Sequence, residues 1–571
     1  MEELTGSSPK ITQLLSPTTH NGGFRTMPFI IVNESFEKVA SYGLMPNMIF
    51  YLMKEYNLNA ATGTTILLLW SATSNAFAIV GAFLSDSYLG RFRVIVLGSI
   101  SSLLGMILLW LTAMVPETKP SSPLSQPSSS QLTLLFSSFL LMSIGAGCIR
   151  PCSIAFGADQ LIKIDGPNNE GILQSFFNWF YASTGISTIL ALTVIVYIQD
   201  HFGWKVGFAV PAFLMLIAAL LFLVGSPLYI KVKASKSLFT GFFQVLVLAL
   251  RNRNLPFPVN SSHGCYHQAP HSELIEPTKN LSFLNKACIN ENPSSNPKKK
   301  LCTVDQVESL KSLVRVIPIW SSGIILQVII NQSSFTAIQA STMDRHLTSH
   351  FQIPAGSFTV FLVLTLTIWV AMYDRVIVPL MAKYMRKPRG LGQNQRMGIG
   401  ILVSVAAMAV SAGVEMVRRR SAIGEGLADN PLRVVNMSAM WLVPQQCLLG
   451  LAEAIYAVAQ IEFFYSHFSK NMASVAMGIF TLGMAAGNLI GSLIVKIVDG
   501  VTKRGGKESW VSSNPNKGHY DYYYWLLAIL CSIDFFYFLL CCWVYGLSKK
   551  EETKHEGGAE TEVCDGSKGL V

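Results

Sequence analysis

The stretch TMPFIIVNESFEKVASYGLMPNMIFYLM, residues 26–53, sets Glu34, Glu37 and Lys38 inside a run that is otherwise mostly apolar or small. Read as a helix, it starts near Thr26, a candidate N-cap, with Pro28 in a first turn that has no use for its missing N–H. At about 1.5 Å per residue, Glu34 lies ~12 Å and Lys38 ~18 Å past that cap. In a hydrocarbon core ~30 Å thick this is near the midplane. Glu34, Glu37, Lys38 and Ser41 share one helical face, and Lys38 follows Glu34 by four residues, the favourable order for an ion pair. The rival reading, a solvated helix end, conflicts with the apolar helix that precedes the cluster. Charges at this depth cost at least ~2.5–3.5 kcal/mol each, so they face a protein interior or a water-filled cavity and mark an ion or proton path.

The rest of the chain is equally apolar. Of 571 residues, 51% are hydrophobic and 13% charged. That charge fraction is about half of the usual quarter. Runs such as 64–84 and 94–115 recur, each long enough to cross a bilayer as a helix and too uniform for barrel strands. The expected fold is therefore an all-α membrane protein. Twelve spans are expected: 27–53, 63–85, 93–115, 132–157, 175–199, 205–226, 312–340, 357–378, 396–416, 434–465, 470–498 and 522–546. They divide the chain into an N-terminal tail (1–26), a first six-helix unit (27–226), a linker (227–311), a second unit (312–546) and a C-terminal tail (547–571). Residues 1–22 are polar, so no cleavable signal is expected. Cys148 and Cys152, and the adjacent Cys541 and Cys542, suit helix packing better than metal or disulfide chemistry.

The net charge of +10 is a topology signal. The linker carries eleven Lys/Arg against five Asp/Glu, and the 86–93 and 375–396 loops are also basic. By the positive-inside rule these segments, and with them both termini, are cytoplasmic. Arg418–Arg420 and Lys503–Arg504 dissent, falling in or beside loops on the other side. The excess can also meet anionic lipid headgroups. Nucleic-acid binding would need a basic soluble domain, and none is present. Within the linker, 237–250 is apolar enough for a helix along the membrane surface. The Asn-x-Ser sequons at Asn260 and Asn280 fall in the linker and those at Asn331 and Asn436 in expected helices, so none of these four is an expected glycan site.

Other spans carry single charges at similar depth. Arg150 sits in SIGAGCIRPCSIAF, where Gly145 and Gly147 allow close helix approach and Pro151 frees a carbonyl. Glu453 sits in LLGLAEAIYAVAQ. It is either a structural partner for a cation or a binding or coupling group. The seventh span has only neutral polar groups at depth: Gln327, Asn331 and Gln332. No HExxH, GxSxG or CxxC pattern occurs, so no enzyme chemistry is expected. Three carboxylates and two cations can instead take up protons and hold an anion. A carboxylate that loses its cation to an anionic substrate takes up a proton more readily, which links the two binding events.

NESFEK resembles the E-x-x-E-R/K motif of the proton-coupled oligopeptide transporters. GAFLSDSYLGRFR (81–93), CIRPCSIAFGADQ (148–160), FFNWFYASTG (176–185) and PQQCLLGLAEAIYAVAQIEFF (444–464) are similar to further family motifs. MPFIIVNESFEKVASYG with the long linker resembles the plant branch, the nitrate/peptide transporters, and its first subfamily, which includes low-affinity nitrate carriers. The resemblance implies the major facilitator fold, two six-helix bundles around a cavity, working by alternating access without a cofactor on a proton gradient. It implies proton coupling by Glu34, Glu37 and Lys38, substrate binding by Lys38, Arg150, Asn331 and Glu453, and a cytoplasmic gate at Asp86 and Arg91. Two departures stand out. QVIINQ (327–332) puts Ile330 or Asn331 where nitrate carriers hold a histidine, and it lacks the acidic residue common in peptide carriers. Val94 replaces a threonine used for phospho-switching.

The expected function is proton-coupled symport of a small anion, nitrate at low affinity, across the plasma membrane, with the tonoplast as the alternative membrane. Rival substrates are organic acids (gibberellin, abscisate, jasmonate) and di- or tripeptides. The rival from another class is a non-transporting anion sensor. The expected partners are the anion, protons and the lipid bilayer; the oligomeric state is left open.

Overall fold

The structure, a computed structural model, describes residues 22–122, 125–161, 169–232, 238–257, 266–267, 277–278, 280–289, 301–385, 390–468 and 472–565. Most of the N-terminal tail, Asn260 and the lysine run at 298–300 lie outside the described residues. The first half holds α1 (Met27–Lys54), α2 (Ala60–Leu84), α3 (Arg91–Met114), α4 (Ser129–Leu161), α5 (Asn169–Leu190) and α6 (Val196–Val224). The linker contributes α7 (Leu238–Arg251) and the single turn α8 (Ser282–Asn285). The second half holds α9 (Val304–Ile330), α10 (Ser333–Ser341), α11 (Val360–Met372), α12 (Val378–Met385), α13 (Gln393–Gly424), α14 (Val443–His467), α15 (Ala473–Thr502) and α16 (Tyr520–Asp565). Four short strands, β1 (Met343–Asp344), β2 (His346–Thr348), β3 (Phe351–Gln352) and β4 (Val435–Ser438), pair as parallel β1–β4 and antiparallel β2–β3.

Among the described residues, ten helical segments are long and apolar enough to cross a membrane. One of them, Gly171–Leu228, is two spans: its backbone leaves the helix at Gly203 (φ 76°, ψ 177°), and Gly207 packs back against Gln199. The charged helix α1 is a further span, which gives twelve. The seventh span is α9 and α10, broken at Asn331 and Gln332; the eighth is α11 and α12, joined by a π turn at Tyr373–Ile377.

Close helix approach depends on small residues at defined points. A Cβ at Gly81 of α2 would fall 2.2 Å from the carbonyl oxygen of Gly147 in α4. One at Gly145 would fall 2.5 Å from Ser102 of α3. In the second bundle, a Cβ at Gly450 of α14 would fall 2.2 Å from the carbonyl of Leu362 in α11. Such contacts supply the van der Waals packing that replaces the hydrophobic effect between helices in lipid. At the end remote from the linker the two bundles touch. Arg345 pairs with Asp200 at 3.7 Å, the Ala60 amide donates to Ser513 Oγ at 2.9 Å, and Gly356 lies against Asn47 and Pro46 of α1.

Four expectations need correction. Thr26 does stand at the N-cap of α1, but its side chain caps nothing: its hydroxyl donates to the Gly23 carbonyl, and residues 24–26 form a preceding 3₁₀ turn. The seventh span starts at Val304, inside the stretch assigned to the linker, because Thr303 and Gln306 form a reciprocal capping box. Asn436 lies in β4 and Asn331 at the break after α9, not inside helices. Arg418 is not a loop charge. Helix α13 runs on to Gly424, and Arg418 is fully buried there, held by both oxygens of Glu415 (2.7 Å each), Asn516 Oδ1 (2.7 Å), Thr342 Oγ1 and the Pro515 carbonyl. A guanidinium neutralised inside the protein casts no vote in the positive-inside count.

That cluster ties α10, α13 and the 509–519 loop together, and Gln339 joins it by donating to Glu415 at 2.7 Å while accepting from Tyr524 of α16. Removing one partner of a buried pair leaves an uncompensated charge, at about 3–5 kcal/mol. Arg418→Met is therefore expected to lower the thermal midpoint of the purified protein sharply. Adding Glu415→Gln to Arg418→Met should recover part of the loss, as read by fluorescence-detected size exclusion after heating.

Candidate substrate cavity

A cavity of about 310 Å³ lies between the bundles, lined by residues of both. The first bundle contributes Tyr42, Trp70 and Arg150, the second Asn331, Glu453 and Asn488. Arg150 of α4 lines it and meets the charges of α1 behind the wall. Arg150 Nη2 is 3.4 Å from Glu37 Oε1, and Lys38 Nζ is 3.8 Å from Glu34 Oε1. Ser41 donates to the same Glu37 oxygen at 2.6 Å. Glu37 is fully buried and Glu34 nearly so, whereas the Arg150 side chain keeps 25% exposure. Glu37 thus lies behind Arg150 as seen from the cavity. Each glutamate retains one buried oxygen, Oε2, with no hydrogen-bond partner.

The local sequence explains this placement. The i, i+4 spacing, about one helical turn, stacks Glu34 under Lys38 and Glu37 under Ser41. Helix α4 brings Arg150 to them because Gly145 and Gly147 let it lie against α3 and α2 at backbone distance. Helix α1 is in turn pinned to α6: Asn47 Nδ2 donates to the Val196 carbonyl, and Gln199 Nε2 donates to the Gly43 carbonyl.

The opposite wall is neutral apart from one group. Glu453 lines the cavity and has no ion pair among the described residues. Asn331 caps the end of α9, its Nδ2 donating to the Gln327 carbonyl at 2.8 Å. Gln327 Oε1 and Asn488 Oδ1 are buried without hydrogen-bond partners. Most of the remaining lining is apolar, from Leu67, Leu68, Met142, Leu362, Val363 and Met484.

Asp86 and Arg91 sit away from the cavity, in the turn between α2 and α3. Arg91 Nε is 3.7 Å from Asp86, and Arg91 Nη1 meets both oxygens of Asp159 at 2.6 Å. All three residues belong to the first bundle, so the cluster locks the linker end of α2, α3 and α4 to one another. Asp159 is a partner that sequence reasoning missed. It lies near the end of a quoted motif (148–160), but only the packing of α4 on α3 shows that it faces Arg91. Tyr42 was also missed as a site residue; its position four residues after Lys38 was the available signal. Among the described residues no group of three or more His, Cys, Asp or Glu side chains is arranged to hold a metal ion.

Chemically, the site offers fixed cations to an anion and buried carboxylates to a proton. Comparison with known proteins agrees with a carrier. Residues 92–511 match the family described as PTR2, the POT family. The Arabidopsis thaliana protein NRT1/ PTR FAMILY 1.2 is 53% identical over 546 residues, covering 92% of this chain and 90% of that protein. NRT1/ PTR FAMILY 1.1 of the same plant is 51% identical, covering 95% of each. Among solved structures, an auto-inhibited POT family peptide transporter superimposes with a TM-score of 0.67 at 19% identity, covering 91% of this chain and 96% of that one.

The glycine contacts beneath Arg150 give a test of how the site is held. A Cβ at Gly147 would fall 2.5 Å from Phe77 Cβ and 2.6 Å from its backbone carbon. Gly147→Val is expected to destabilise the first bundle by about 1–3 kcal/mol, the usual cost of overpacking. Gly185→Ala, where nothing lies within 4 Å of the added carbon, should leave the thermal midpoint of the purified protein in place.

Proposed function

This chain belongs to the POT family, and from that premise we propose that it is a proton-coupled symporter of a small anion, with nitrate at low affinity as its substrate. The observation that carries this reading is Arg150 on the cavity wall, backed by the buried Glu37 with one unpartnered oxygen, with the Lys38–Glu34 pair beside it on α1. An anion that takes Arg150 leaves Glu37 without its counter-charge, in a site where an isolated carboxylate is costly. Proton uptake then restores neutrality. Glu37 is the proposed proton carrier because it holds Arg150 directly; Lys38 and Glu34 form the second such pair. Asn331 is the proposed polar contact from the second bundle, and Glu453 a further proton or substrate contact. The bundles rock about the cavity, and the Arg91 cluster keeps the linker end of the first bundle rigid during that motion. The linker and both termini face the cytoplasm in this scheme, and the membrane is the plasma membrane.

A second reading has its own support. The cavity is much larger than a nitrate ion and most of its lining is apolar. An organic monocarboxylate with an apolar body would use the same cations for its head and this wall for its body, burying apolar surface at roughly 25 cal/mol per Å². A peptide substrate has less support, since α9 offers no carboxylate at cavity depth.

The test is uptake of nitrate, a gibberellin and a dipeptide in parallel, with and without an inward proton gradient. Glu37→Gln is expected to abolish acid-stimulated uptake at normal surface expression; unchanged stimulation would sink the coupling assignment. Arg150→Ala should remove anion uptake and Arg150→Lys keep part of it, because lysine restores the charge without the planar fork. Anion binding with no flux in proteoliposomes would instead identify a sensor.

A further inference from the structure

Asp534 stands near the middle of the apolar 25-residue span Tyr520–Val544 of α16, in LLAILCSIDFFYFLLCC, residues 526–542. It is not part of the cavity lining and takes no part in the proposed symport. Its side chain is 6% exposed and belongs to the face of α16 that packs on α13 and α9. The turns on either side fix that face. Cys531 Sγ is 3.0 Å from Ser404 Oγ of α13, the Tyr537 hydroxyl is 2.9 Å from Ser321 Oγ of α9, and a Cβ at Gly398 of α13 would fall 3.3 Å from the Phe538 ring.

The buried glutamates Glu34, Glu37 and Glu415 each have a cation: Lys38, Arg150 and Arg418. Asp534 has none among the described residues, and its Oδ2 is buried without a hydrogen-bond partner. The ionisable groups that face it are Tyr456 of α14 and, from its own helix, Cys531 and Tyr537. Helices α9 and α13 present the Ser321 and Ser404 hydroxyls at the turns beside it. Tyr456 is itself fully buried; a Cβ at Gly323 of α9 would fall 2.6 Å from its hydroxyl, to which Gln460 donates at 3.4 Å. The carboxyl therefore lies where α9, α13, α14 and α16 converge. In such surroundings a carboxylic acid needs a cation, a set of N–H or O–H donors, or a proton. Oδ2 has neither of the first two among the described residues.

We propose that Asp534 is a proton-binding site of its own, outside the substrate cavity, and that the packed second bundle requires the proton it holds. The inference does not depend on which solute the carrier moves. Helix α14 lies between the two sites: Glu453 lines the cavity, and Tyr456, three residues on, faces Asp534. Linkage fixes the sign of the effect. A carboxyl that the fold holds neutral contributes stability in acid, and that contribution is lost as pH rises and the group ionises.

The experiment uses the purified full-length protein in one detergent. It compares wild type with Asp534→Asn and Asp534→Leu, and with Glu37→Gln and Glu453→Gln as controls. Infrared difference spectra between about pH 5 and about pH 9 report the carbonyl stretch of neutral carboxyl groups, and thermal midpoints are taken over the same range. Wild type is expected to lose a neutral carboxyl band toward the alkaline end. One component of that band should be missing from both Asp534 variants and present in both controls. The midpoint of wild type relative to Asp534→Asn should fall by about 2–4 °C from the acid to the alkaline end. Asp534 variants whose spectra match wild type would overturn the site. So would a midpoint difference that stays constant with pH, which is what a purely structural contact gives. If Asp534→Asn does not accumulate, Asp534→Leu, of similar size with no polar side-chain atom, carries both comparisons. A carrier that moves neither nitrate nor a gibberellin sinks the symport reading and leaves this test standing.

Discussion

The Glu37–Arg150 ion pair, made across α1 and α4 inside the membrane-spanning bundle, sets the terms for the rest of the first half. Neither charge could stay there alone. An unpaired ion in a low-dielectric interior costs several kcal/mol, and attraction offsets that only when the geometry is close. The geometry has to be imposed by the backbones, which explains why glycines crowd the segment of α4 just before Arg150. Gly145 and Gly147 let α4 rest on α3 and α2, and Gly81 of α2 returns the contact. The same need accounts for Asn47 and Gln199, whose amides fix α1 against α6 so that Glu37 does not drift from its partner.

The second bundle solves a similar problem for a different end. Its buried ion pair, Glu415–Arg418, is satisfied on nearly every side and stands far from the cavity, near the face where the bundles touch. Nothing is left for a ligand to claim. The cavity pair is incompletely satisfied: one oxygen of each glutamate lacks a partner, and the cations retain exposure. Two buried pairs of the same chemical type are thus told apart by their completeness. The complete one makes a rigid end; the incomplete one keeps unpartnered carboxylate oxygens beside the cavity.

How much of this the sequence carried can be judged residue by residue. The spans were legible because lipid forces every backbone group into a helix, and an apolar run of the right length has few other fates. That Glu34 and Glu37 turn inward was legible from the apolar run around them, and the Glu34–Lys38 pair from helical spacing. The error at Arg418 has a physical origin: charge counting treats every arginine as solvated, and only the packed structure shows Glu415, Asn516 and Thr342 around it. The start of α9 was missed because a capping box, not hydropathy, sets it. Asp159 and Tyr42 were missed for another reason. Their partners come from a neighbouring helix, in whole for Asp159 and in part for Tyr42, and periodicity along one helix says nothing about the rotation of the next.

The cavity is also electrostatically lopsided, and that constrains any carrier cycle built on it. The cation of its lining, Arg150, comes from the first bundle with Lys38 nearby, while the second contributes neutral amides and Glu453, which has no ion pair among the described residues. An anion held by Arg150 and Lys38 must face that second wall whenever the bundles close around it. An ionised Glu453 would repel it, and a protonated one could donate a hydrogen bond to it. On the proposed cycle, closure around the anion and protonation of Glu453 therefore favour each other, by the same linkage that ties Glu37 to Arg150. The empty carrier meets the reverse condition: its cations have Glu34 and Glu37, and Glu453 faces no anion at all. On the proposed cycle, one chain of ionisable groups would thus tell a cavity that holds an anion from one that does not, which is what alternating access between two rocking bundles would ask of the site.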